Sequence, residues 1–172
     1  MDLPHTSLSR RIDTWIRAIG EIASWIWVVL LGVIVVNVIM RYLFAQGRIE
    51  FEEIQWHLYA AGFLLGLSYA YASDSHIRVD VVRERLSLTT RAWIELYGIL
   101  LLLLPFIILV LVASVPFVVY SFETSEVSEA PGGLPFRWFI KSFLLLGFLL
   151  LLLAVLARLS RVVNFLFLAE SD

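Results

Sequence analysis

Hydrophobic positions in this chain come in long unbroken blocks. Ile22–Met40, Ile54–Ser73, Leu96–Phe122 and Ser142–Ala157 contain no Asp, Glu, Lys or Arg. A helix crosses a hydrocarbon core of about 30 Å with about 20 mostly apolar residues. The first two blocks fit that length. The third exceeds it, so it tilts or projects beyond the bilayer. The fourth suffices once 138–140 are counted and Lys141 and Arg158 snorkel outward. The pattern therefore predicts an all-α integral membrane protein with four transmembrane helices, over about 22–44, 54–73, 92–122 and 138–158. Ahead of them, Leu8, Ile12, Trp15, Ile16 and Ile19 recur at helical spacing opposite Arg10, Arg11, Thr14 and Arg17. Residues 7–20 thus read as an amphipathic interfacial helix anchoring the chain to the bilayer surface.

Composition agrees with a membrane protein. Sixty per cent of residues are hydrophobic and the mean hydropathy is +0.88, well outside the soluble range. No internal repeat or second domain interrupts residues 1–172. Residues 1–21 mix both charge signs and lack a cleavage site, so the first span is expected to be its own insertion signal. Without cysteine there are no disulfides or thiolate metal sites. A net charge of -2 gives no indication of nucleic-acid binding.

Basic residues orient the spans. Nine Lys and Arg fall in the N-terminal segment, the second connection and the tail, against four on the other side. The positive-inside rule then places both termini in the cytoplasm. Trp25, Trp27, Trp56, Trp93 and Trp138 lie near span ends, where an interfacial aromatic belt belongs.

Candidate functional residues concentrate on span two. It begins at an acidic collar (Glu50, Glu52, Glu53) and ends at Asp74, His76, Arg78 and Asp80. Gly62, Gly66, Ala70 and Ser73 form a small-residue face against which another helix can pack in lipid. Glu53 and His57 are four residues apart and share a helical face. They read either as a shallow interfacial cluster that orients the hairpin or meets a partner, or as a proton relay. Arg41 is placed to pair with Glu52 or Glu53 across the first hairpin. Asn37 suits an interhelical hydrogen bond. In the second connection, Asp74 and Asp80 beside Arg78 and Arg83 suggest a salt-bridged elbow, and Thr89 or Thr90 a cap for the next helix.

Pro105 and Pro116 should loosen span three locally. Pro131–Pro135 (PGGLP) marks a turn in the second outer connection. Glu123, Glu126 and Glu129 in that connection form a solvated acidic loop, or a patch that steers a basic partner. Span four, Leu-dominated and weakly patterned, is expected to face lipid over much of its surface.

The absences are informative too. Self-sufficient ion-coupled transporters place broken helices or ionisable groups near the midplane, and these span centres hold neither, apart from two prolines. His57 and His76 are about 28 Å apart along one helix and cannot clamp one haem within the chain. No catalytic constellation or nucleotide-binding loop is present, so the chain is not expected to be an enzyme. An accessory membrane subunit remains, with a membrane anchor of an electron-transfer complex as the alternative.

Arg41–Phe44 (RYLF), the segment Glu52–Asp80 and the four-span layout resemble the small permease (DctQ-like) subunit of tripartite ATP-independent periplasmic (TRAP) transporters. Its most specific part runs from the Glu52–Glu53 pair through Gly66 and Ser75 to His76–Asp80 (HIRVD). The segment Ser125–Lys141 is similar to the longer outer loop of the mannitol/chloroaromatic-type subset. The resemblance implies a bacterial inner membrane location and two partners. One is a periplasmic binding protein that captures organic acids. The other is a large multi-span permease subunit that couples uptake to sodium. It further implies that this chain carries no cofactor, sodium belonging to the large subunit, and that it braces the large subunit's scaffold. Arg41, Glu52, Glu53, His76, Arg78 and Asp80 match the family pattern and carry over as structural or subunit-contact positions.

Overall fold

The computed structural model describes residues 6–75 and 86–168. Among these residues all regular structure is helical. Helix α1 spans Ser7–Leu43 and α2 spans Ile49–Ala72. Helix α3 (Leu88–Gly98) continues through a π turn, Ile99–Leu103, into α4 (Leu104–Glu123). Helix α5 (Arg137–Val163) is extended by a second π turn, Asn164–Leu168. Helix α1, the continuous rod from Leu88 to Glu123 and α5 with its π turn are each long and apolar enough to cross a membrane. Helix α2 is the fourth long helix, its hydropathy diluted by Gln55, His57 and three tyrosines.

Local chemistry explains the boundaries. Thr6 caps α1, its hydroxyl accepting from the Ser9 N–H at 3.1 Å. The next two spans start differently. Glu50 and Glu52 lie in the first turn of α2, where the helix dipole favours anions. Ser87 caps α3 by accepting from the Thr90 N–H at 3.2 Å, so the cap falls before the two threonines that the sequence suggests. Pro105 has no N–H to offer the carbonyl four residues back. Just before it, the Leu104 N–H reaches the Ile99 carbonyl, five residues away. A π turn is thereby inserted where the proline disturbs the ladder. Pro116 is accommodated within α4 without ending it.

Residues 7–20 are helical but do not form a separate surface element. They run unbroken into span one. The buried line in this part of α1 is Ser9, Asp13, Ile16, Gly20 and Ala23, whereas Leu8 and Trp15 point outward. Packing rather than amphipathic contrast has chosen the face.

The largest correction concerns span four. Helix α5 packs against α1, α2, α3 and α4, and each of three buried clusters draws on it. Phe148, Leu151 and Val155 join Ile99 and Ile107. Val162 joins Ala92 and Leu96. Ala154 joins Ile16 and Ala72. Small residues Gly147, Ala154 and Ala157 let neighbouring backbones come close, as association in lipid requires. By contrast α4 buries only Ile107, Ser114 and Ser121, one residue every two turns. The narrowly packed helix is therefore span three, and span four is the hub.

Candidate functional site

Two polar clusters close the ends of the bundle. At the end formed by α1's start and α5's finish, Arg158 and Arg161 project from α5 with side chains only 5% and 6% exposed. The Arg158 guanidinium grips Glu95 of α3 with two nitrogens, Nη2 donating to Oε2 at 3.1 Å. It also lies 3.6 Å from Asp74 at the end of α2. Arg161 pairs with Asp13 of α1 at 3.3 Å, and the Thr6 and Ser160 hydroxyls meet at 3.2 Å. Two arginines thus tie α5 to three other elements. Buried guanidiniums need such partners, because an unpaired charge out of water costs several kcal/mol.

At the opposite end the loop between α4 and α5 folds back onto α2. Glu53 is buried and its carboxylate accepts from the Ser128 hydroxyl and from the Leu134 N–H, the latter at 2.6 Å. A turn holds the loop in shape through Gly133 N–H to Ala130 O at 2.9 Å and Ser128 N–H to Leu134 O at 3.1 Å. Gly132 takes a φ of +79° there, a backbone form that favours glycine. Glu126 receives the Lys141 ammonium and lies 3.5 Å from Arg137. Lys141 also rests over the Phe117 ring, 4.1 Å from its centre.

The sequence-derived candidates separate on this frame. Glu53 is held by the α4–α5 loop rather than by Arg41, which stays exposed. Glu52 is half-buried beside it in the chain. His57 is half-buried and lines a cavity of about 470 Å³ with Leu134, Phe136, Trp138 and Phe139. Gly62 packs against Trp27 of α1, where an added Cβ would approach the ring to 3.2 Å. Gly66 differs: a Cβ there meets nothing within 4 Å. It lines an open groove of about 210 Å³ between α1 and α2 with Gly20, Ala23, Ser24, Trp27 and Tyr69. Ala70 is half-buried on the same helix. His76, Arg78 and Asp80 lie outside the described residues, as does Arg83 of the expected elbow. Asp74, the elbow's other end, pairs with Arg158.

Asp13, Glu95, Arg158 and Arg161 were not singled out by sequence as a cluster. Span-end charges ordinarily look solvated, and these partners are 63 to 148 positions apart. Among the described residues no three His, Asp or Glu side chains converge as a metal site would require.

Glu126 predicts a pH response. The Lys141 ammonium donating to it, with the Ser121 hydroxyl beside it, holds its carboxyl below the ordinary range. A carboxylate with a lowered folded pKa contributes stability above its unfolded value, about 4.3 for glutamate. That contribution disappears as pH falls through the folded value. The α4–α5 loop should therefore stay attached from neutral pH to about pH 4.3 and open below it. Pepsin cleavage within 123–136, scored against Glu126→Gln, reads this directly. Opening that begins above pH 5 in the native chain only would contradict the assignment.

Ion pairs and hydrogen bonds tie both ends of the bundle together, and the apolar blocks between them hold no Asp, Glu, Lys or Arg. Residues 30–165 match the family described as tripartite ATP-independent periplasmic transporters, DctQ component. The chain belongs to this family. It is a small membrane subunit of a TRAP transporter and not an enzyme. No curated protein and no solved structure matches the chain. The electron-transfer anchor read as the alternative is set aside by this membership. The matched span covers Glu52, Glu53, His57, Gly62 and Gly66, together with Glu95 and Arg158 of the ion cluster; Asp13 lies outside it.

Proposed function

We propose that this DctQ subunit braces the scaffold of a large, sodium-coupled permease subunit. That partner imports organic acids delivered by a periplasmic binding protein. The observation that carries this reading is the absence of Asp, Glu, Lys and Arg from all four apolar blocks, while the buried charges at the two ends, Asp13, Glu53, Arg158 and Arg161, are committed to the chain's own packing. A subunit so built offers lipid-exposed apolar faces and a fixed shape but no coupling-ion site of its own, which suits bracing. Its place is the bacterial inner membrane, with α1's N-terminal end and α5's C-terminal end cytoplasmic, in keeping with the Lys and Arg distribution. Of the three outer glutamates, Glu126 is committed to Lys141 and Arg137. A charge patch that steers the binding protein is thereby reduced to Glu123 and Glu129, both exposed.

The groove at Gly66 is where this reading meets experiment. Gly66→Leu has room within the chain, so its effect falls on whatever packs into the groove from outside. Overpacking costs about 1–3 kcal/mol, and recovery of the large subunit with the tagged chain should fall about tenfold. Gly62→Leu instead collides with Trp27 and should lower the chain's own thermal midpoint. Full recovery of the large subunit with Gly66→Leu would remove this groove from the contact surface. Liposomes holding this chain alone should transport no organic acid, and uptake by them would overturn the bracing role.

A further inference from the structure

We propose that the cleft between Arg10 and Arg17 of α1 binds the phosphate of an anionic phospholipid. Arg10, Thr14 and Arg17 follow one another at helical spacing, so all three share a face. With Asp13 they line a cleft of about 240 Å³. Both arginines are exposed, and among the described residues neither guanidinium has an ion-pair partner. Asp13 would repel an anion if its charge were uncompensated. Arg161 pairs with it at 3.3 Å, so the cleft's positive charge is left to its two rims.

The surroundings select a lipid over a dissolved anion. Trp15, between the two arginines in the chain but on another face of α1, and Ile22, about a turn and a half beyond Arg17, are 73% and 74% exposed. Large apolar side chains exposed beside guanidiniums mark the level where headgroups give way to acyl chains. A guanidinium fork matches phosphate oxygens in pairs, and α1 offers two forks to one headgroup. This stretch also precedes the family-matched residues 30–165, so the site is a property of this chain's own N-terminal segment. It rests on residence in a membrane and not on the bracing of a partner.

The test uses the whole purified chain in mild detergent, with bound lipid counted by native mass spectrometry. Phosphatidylglycerol, phosphatidylcholine and inorganic phosphate are supplied separately. Phosphatidylglycerol should be retained over phosphatidylcholine. An Arg10→Gln/Arg17→Gln double variant should reduce its retention about tenfold or more, the effect of removing two basic groups from an anionic surface. Arg10→Lys/Arg17→Lys, which keeps the charge but loses the forks, should retain binding between that of the double Gln variant and the native chain, and Arg48→Gln, at the other end of the bundle, all of it. Equal retention of phosphatidylcholine would overturn the proposal, as would undiminished phosphatidylglycerol on the double Gln variant. Displacement of the lipid by an equal concentration of inorganic phosphate would reassign the cleft to a soluble anion and overturn it as well.

Discussion

Replacing Arg158 by Met will destabilise the chain by roughly 3–5 kcal/mol, lowering its thermal midpoint in detergent by about 10 °C. The guanidinium is almost wholly buried and serves two carboxylates, Glu95 and Asp74. Removing it takes the guanidinium away from Glu95, whose side chain is 18% exposed, and from Asp74, which is 28% exposed. The cost is the penalty of the stranded charges more than the worth of the pair. Adding Glu95→Leu to Arg158→Met should therefore recover part of the loss, giving a positive coupling in a double-mutant cycle. An Arg158→Met chain as stable as the parent would mean that the cluster does not tie α5 to its neighbours.

Substitution of Gly147 strikes the same helix by a different route. A Cβ at this position would lie 2.8 Å from the Leu64 carbonyl oxygen and 3.0 Å from its carbon. These are backbone atoms of α2, which no rotamer change can move aside. Even Gly147→Ala must push α2 and α5 apart, at a cost of about 1–3 kcal/mol, or several degrees in midpoint. Gly147→Leu should prevent the two hairpins from joining. Gly32→Ala is the comparison, since a Cβ there meets nothing and alanine favours helix by about 1 kcal/mol. If Gly147→Ala proved as stable as Gly32→Ala, the close crossing of α2 and α5 would be wrong.

Both predictions fall on α5, the helix least legible in the sequence. Its run of leucines offers no polar contrast, so periodicity cannot reveal which side is buried. The available signal was the row of small residues, Gly147, Ala154 and Ala157, which marks close approach in lipid. The small row on α2 was easier to see, yet its members have different neighbours: Gly62 meets Trp27 and Gly66 faces an open groove. Spacing fixes which residues share a face but not what lies opposite.

Charge was legible in position and not in pairing. The four apolar blocks and the PGGLP turn follow from chemistry within a few residues, and the helices form around them. The acidic collar marked Glu53 as an orienting group, but its partners, Ser128 and Leu134, belong to the other hairpin. In the sequence Asp13 is one charge among several in residues 7–20. Its place in line with Ser9, Ile16 and Gly20 was the clue that it lies inside. Such contacts join residues far apart in the chain, and local pattern contains no term for them.

As an accessory to a larger permease, the role proposed for it, this chain must be bound to that permease in its membrane. Affinity purification of the tagged chain from its native membrane in mild detergent, with partners identified by mass, tests it most directly. A large, many-span membrane protein should be recovered with it. Recovery of the chain alone, or with redox subunits, would contradict it.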